Sequence, residues 1–222
     1  MNGTVTIGGG DSQVTAQLTF PPGSGGPGVI VIHDWFGLLP HIGSRCQDLA
    51  DAGFVALALD LYDGRTTTDT AQAEAWRDGL SGDRVMRQLR AAVAHLRDHA
   101  AVTPDRVGLL GYSMGGSLAL QMATQVDLEA VVAYYAILSD DQFAPLRGPA
   151  MVHLAEHDDW ESPDAPQKFF AAVANAGGSV EHPAHRGTEH SFANADVPAT
   201  YAAQADHDAW AATVDFLGRH LR

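Results

Sequence analysis

Gly111-Tyr112-Ser113-Met114-Gly115-Gly116 lies between an apolar run, Val107-Gly108-Leu109-Leu110, and a helix-forming stretch, Ser117-Leu118-Ala119-Leu120-Gln121-Met122-Ala123. A buried strand followed at once by a helix forces a sharp turn at Ser113. Such a turn places the serine at positive φ and needs very small residues two before and two after it, so that strand and helix can pack closely. Gly111 and Gly115 fill those two places. The turn lifts Oγ above the sheet and sets the Met114 amide at a helix N-terminus, where the dipole favours developing negative charge. A plain N-cap role would account for Ser113, but it leaves both glycines unexplained.

Working outward, Val29-Ile30-Val31-Ile32 is a continuous β-branched run, as expected of a strand buried on both faces of a parallel sheet. Further strands are predicted at 54–59, 130–135, 149–154 and 179–182. Helices are predicted at 41–52, 82–99, 164–176 and 198–219. Residues 1–20 alternate loosely and read as an antiparallel edge hairpin, followed by a Pro/Gly/Ser turn over 21–27. The 66–81 segment is polar and weakly helical, a candidate cap or lid. This alternation predicts an α/β fold of one domain over 1–222, a mostly parallel central sheet with helices on both faces.

The 222 residues, 45% hydrophobic, suffice for one core. A net charge of −14 disfavours nucleic acid and anionic lipid as partners. A single cysteine, Cys46, suits a reducing compartment and reads as a small packed residue. Neither a basic, apolar leader nor a membrane-length apolar run is present in the sequence, so a cytoplasmic protein, monomer or homodimer, is expected.

A serine hydroxyl needs a base and a group to orient that base. In α/β-hydrolases these follow in the order serine, acid, histidine. Ala155-Glu156-His157-Asp158-Asp159-Trp160 comes off a predicted strand, and Thr188-Glu189-His190-Ser191-Phe192 follows the last one. The residues alone leave Asp158 and Asp159 equal. His33-Asp34-Trp35-Phe36-Gly37 ends another strand, where open α/β sheets bind ligands. Trp35 and Phe36 there are pocket walls or a hydrophobic plug, and Asp34 is a site acid or a cap on nearby amides. Tyr134-Tyr135 divides between core and pocket or lies in the core entirely, and Tyr112 and Trp160 are further pocket candidates. His153, His157, His182, His185 and His190 lack a ligand spacing on one helix and read as surface histidines, so no metal and no cofactor are expected.

Together the 33–37 loop, Asp60-Leu61-Tyr62, the 111–116 turn, Tyr134-Tyr135, Ala155-Glu156-His157-Asp158 and His190-Ser191-Phe192 resemble the dienelactone hydrolase family of the α/β-hydrolases. In that family the acid closes a Gly-x-x-Asp turn, so the resemblance selects Asp158, although Ala155 replaces the glycine. It also implies that the Trp35 backbone amide partners that of Met114 as oxyanion donor. Two departures stand out: Ser113 replaces the cysteine of the dienelactone hydrolases proper, and Asp34 replaces a longer glutamate that contacts it. The expected function is hydrolysis of a small ester or lactone through an acyl-enzyme on Ser113, His190 and Asp158. Amide hydrolysis, acyl transfer and non-catalytic ligand binding are the competing readings.

Overall fold

Residues of odd and even number along one strand face opposite sides of a sheet, and the β-branched run before the 33–37 loop uses both. In the computed structural model, which describes residues 3–23 and 25–222, Ile30 and Ile32 pack into one apolar cluster, and Val29 and Val31 into another across the sheet. Both clusters are sealed by helices.

The strands are β1 (Gly3–Ile7), β2 (Val14–Thr19), β3 (Gly26–Ile32), β4 (Val55–Asp60), β5 (Val102–Tyr112), β6 (Ala130–Tyr134), β7 (Ala150–His157), β8 (Val180–Glu181) and β9 (Ala184–Glu189). They run β1-β2-β4-β3-β5-β6-β7-β8, with β9 also paired to β7. The β1–β2 and β2–β4 pairs are antiparallel, and every pair from β4 onward is parallel. Met1, Asn2 and Ser24, which fall in the expected hairpin and turn, lie outside the described residues. The single strand expected at 179–182 is instead two short ones either side of His182-Pro183, where proline can donate no ladder bond.

The helices are α1 (Pro40–Asp51), α2 (Thr70–Asp78), α3 (Gly82–Arg97), α4 (Met114–Ala123), α5 (Ala165–Asn175) and α6 (Ala203–Leu221). α3, α4 and α5 cover one face through Val85, Leu89, Leu96, Leu120, Phe169 and Val173. α1 and α6 cover the other through Ile42, Leu49, Phe216, Leu217 and Leu221. Among the described residues no helix is long and apolar enough to cross a membrane.

Two boundaries differ from expectation for physical reasons. The 66–81 segment contains α2, started by the Asp69 carboxylate accepting from the Gln72 amide at 2.8 Å. Its helical period is faint because Ala73 is the one α2 residue that is buried. α6 starts at Ala203, not 198, because residues 190–202 form a looped turn whose Ala202 N–H donates back to the Phe192 carbonyl at 2.9 Å.

Candidate active site

β3, β5, β6, β7 and β9 end at the same edge of the sheet, so their following loops converge. Ser113 leaves β5 at φ +51°, and its N–H donates to the Tyr134 carbonyl at 2.9 Å. A methyl on Gly111 would overlap the Gly115 carbonyl, and one on Gly115 would overlap the Ile32 and His33 carbonyls. The turn therefore sits hard against the end of β3, where the 33–37 loop begins. Met114 is the first residue of α4, whose leading amides have no partner within the helix.

Ser113 Oγ lies 2.9 Å from His190 Nε2, and His190 Nδ1 lies 2.8 Å from Asp158 Oδ2. The other Asp158 oxygen accepts from the Trp160 N–H at 3.0 Å, which restrains the carboxylate from turning. Asp158 and His190 side chains are 11% and 17% exposed, sheltered but reachable. The His190 ring lies between Tyr135 at 5.0 Å and Trp160 at 6.0 Å. Asp159 lines a neighbouring cavity.

A cavity of about 340 Å³ opens on Ser113, within the range of a small-molecule site. Trp35, Met114, Leu118, Tyr135 and Trp160 form its apolar wall, and Arg77, Gln121, Gln142 and Glu161 supply polar groups. Arg77 comes from α2, the segment expected to act as a cap, and its guanidinium sits 5.6 Å from the Trp35 ring centre. A second cavity of about 390 Å³ shares Trp35, Trp160 and His190 but not Ser113, and adds Phe36, Asp159 and Glu189.

Three of the pocket candidates line neither cavity. Tyr112 is fully buried and packs against Tyr134 in a tilted pair with ring centres 4.8 Å apart, because it is the inward-facing last residue of β5. Tyr134 ends β6 in the core and bonds Thr213 Oγ1 at 2.8 Å. Tyr135 follows at φ +40°, which swings the second ring of the doublet toward His190. Asp34 is 1% exposed and accepts from the Phe36 N–H and from Asn194 Nδ2, each at 2.8 Å.

His33 is wholly buried, its Nε2 accepting from the Leu61 N–H at 3.2 Å while Nδ1 faces the Asp34 carbonyl. Burial holds it neutral by lowering its pKa. His153, expected at the surface, is fully buried and bonded to His185 and Thr213, each at 2.9 Å. Burial pushes the Cys46 thiol up to about 12, so it is inert packing, not a nucleophile. Gln121 and Ser117 were legible as one face of α4 with Met114, at helical spacing. Glu161, Gln142 and Asn194 carried no sequence signal, because loop conformation alone brings them in.

The family model described as dienelactone hydrolase family matches residues 14–221. A carboxymethylenebutenolidase from Pseudomonas sp. (strain P51) is 31% identical over 226 residues, covering 95% of this chain and 92% of its own. A protein named usf from Aquifex pyrophilus is 30% identical over 210 residues, covering 90% and 91%. The solved structure titled m3DLH superposes with a TM-score of 0.89 at 26% identity, over 100% of this chain and 99% of its own. With a family match that spans nearly the whole chain and a solved structure that superposes over all of it, the chain is a hydrolase belonging to the dienelactone hydrolase family of the α/β-hydrolase superfamily.

Proposed function

We propose that this protein cleaves a small carboxylic ester or lactone through an acyl-enzyme on Ser113. The observation that carries the reading is the continuous line Ser113 Oγ, His190, Asp158, with gaps of 2.9 and 2.8 Å, at a positive-φ turn that opens on a cavity. Ser113 Oγ attacks the carbonyl while His190 Nε2 takes its proton. Asp158 accepts from Nδ1–H, holds that tautomer and stabilises the imidazolium. The tetrahedral oxyanion is bound by the Met114 and Trp35 amides, a pair in which losing one donor typically costs about 10²–10³ in rate. His190 returns the proton to the departing alkoxide, which in a lactone stays tethered to the acyl group. A water activated by His190 then attacks the ester of Ser113 and releases the acid.

The relative named carboxymethylenebutenolidase acts, by that name, on an unsaturated lactone bearing a carboxylate. Among the described residues Arg77 is the one cationic side chain lining the Ser113 cavity, but Asp78 and Glu74 already engage it at 2.8 and 3.3 Å. Glu161 lines the same cavity. This balance supports an uncharged small ester or lactone as the better substrate. Turnover of p-nitrophenyl acetate, a neutral lactone and the matching p-nitroanilide tests the proposal. Ester and lactone cleavage well above anilide cleavage is expected, and faster anilide cleavage or no turnover of any ester or lactone would reject it.

A further inference from the structure

The two loops that must stay in register for this chemistry are the 33–37 loop, which carries the Trp35 amide, and the 190–196 loop, which carries His190. They come from strand ends far apart in sequence, and one buried carboxylate touches both. Asp34 Oδ1 accepts from the Phe36 N–H and Oδ2 from Asn194 Nδ2, each at 2.8 Å. Asn194 is fully buried, its N–H donates to the Ser191 carbonyl at 2.9 Å, and its Oδ1 accepts from the Asp196 N–H at 2.9 Å. That last bond orients the amide, so its NH₂ must face Asp34. Asp196 Oδ2 in turn accepts from the His41 N–H at 2.8 Å and meets His41 Nδ1 at 3.1 Å. His41 Nε2 lies 3.8 Å from Asp34 Oδ2, so the four residues form a ring that passes through the Asp196 backbone amide.

We propose that Asp34 is a positioning residue, whose two carboxylate oxygens lock the oxyanion loop to the loop of the base. The inference rests on the reading of Ser113, His190 and Asp158 given above. Asp34 itself lines neither cavity and handles no proton in the reaction. Capping the Phe36 amide alone would need a single acceptor, which asparagine or serine supplies. Accepting from two donors on opposite sides needs both oxygens of a carboxylate, and an amide at this position would set NH₂ against NH₂ at Asn194.

The arrangement has a cost that a mere cap would not require. Burial pushes the Asp34 carboxyl up to about 7, against the opposing pull of the Phe36 and Asn194 bonds and of nearby His190, while Asp196 adds to the rise. The other titratable groups around it are His33, His41, Tyr62 and Tyr135.

The test uses p-nitrophenyl acetate kinetics for the wild type, Asp34→Asn, Asn194→Asp and the double variant, after fluorophosphonate labelling of the wild type. Each single variant should lose about 10- to 100-fold in kcat with KM within about threefold, because a displaced donor is felt in the transition state. The double variant turns the bond around: the amide at 34 accepts from Phe36 and donates to the carboxylate at 194, which still accepts from Asp196. It should recover to within about fivefold of wild-type kcat, a rescue that independent structural damage would not produce. Single variants with wild-type kcat, or a double variant no better than the worse single, overturn the positioning role. Should Asp34→Asn fail to fold, Asn194→Ala leaves the Asp34 carboxylate intact while removing its bond to the 190–196 loop together with the Asp196 N–H bond, and wild-type kcat in that variant overturns the role equally. Absence of a wild-type Ser113 adduct overturns the catalytic reading and this inference together, whereas labelling with unimpaired variants overturns this inference alone.

Discussion

Two hydroxyl–imidazole lines run through this molecule with nearly the same spacing. In one, Ser113 Oγ meets His190 Nε2 at 2.9 Å and Nδ1 meets Asp158 at 2.8 Å. In the other, Thr213 Oγ1 meets His153 Nε2 at 2.9 Å and Nδ1 meets His185 Nε2 at 2.9 Å. The first opens on a cavity, while Thr213, on α6, and His153, on β7, are both 0% exposed. Ser113 stands at φ +51° before a helix N-terminus, while Thr213 lies inside a helix with its hydroxyl also bonded to Tyr134. The third group differs most in chemistry. A carboxylate stabilises an imidazolium, whereas a second imidazole does not, and burial with His185 nearby holds His153 down to about 3. Distances alone do not make a nucleophile; backbone strain, access and the charge of the third group separate the two lines.

The largest expected effect that would sharpen this contrast is on the hydroxyls themselves. Ser113→Ala should lower kcat for p-nitrophenyl acetate by at least about 10⁴-fold. Thr213→Val should leave kcat within about threefold and, by orphaning His153 and Tyr134, lower urea-unfolding stability by about 1–3 kcal/mol. Equal losses of activity in both variants would erase the distinction.

Next come the two neighbouring acids. Asp158→Asn should cost roughly 10³–10⁴ in kcat by favouring the wrong tautomer of His190. Asp159→Asn, which keeps the His190 bond, should change kcat by less than about threefold. The reverse order would move the orienting role to Asp159.

The smallest effect distinguishes the lines by pH. His153 has an ordinary value of 6.5 and a folded value of about 3, so below 6.5 the unfolded chain takes up a proton that the fold refuses. Its contribution to stability is complete above 6.5 and is lost as pH falls toward 3, on the order of 3–5 kcal/mol over that span. His41, lowered to about 4 by burial, acts in the same direction. Asp34, raised to about 7, acts oppositely, its contribution being lost as pH rises through 7. Urea midpoints at pH 7, 5.5 and 4 should fall less steeply in His153→Gln than in the wild type, and parallel slopes would mean that His153 is not held neutral by burial.

What could be read in advance follows from which interactions leave a periodic trace. The unbroken β-branched run before the 33–37 loop and the Val85, Leu89, Ala92, Val93, Leu96 stripe of α3, spaced at 3.6, are local patterns, and both elements form with those residues buried. Gly111 and Gly115 were legible for another reason: a backbone collision forbids any larger side chain. Asp158 and Asp159 share one loop, and which of them meets His190 depends on dihedral angles that residue types do not encode. Tyr134 and Tyr135 part ways because of a positive φ that the sequence does not announce. The bond from Asn194 to Asp34 spans 160 residues with no local pattern at either end, so only the folded chain reveals it.

Ser113 Oγ is the atom on which the proposed hydrolysis turns. A fluorophosphonate is incubated with the wild type and with Ser113→Ala, and the adduct is located by peptide mass spectrometry. One phosphonyl group on Ser113 of the wild type, and none on the variant, is the predicted result. An adduct on any other residue of the wild type, or no adduct, would contradict it.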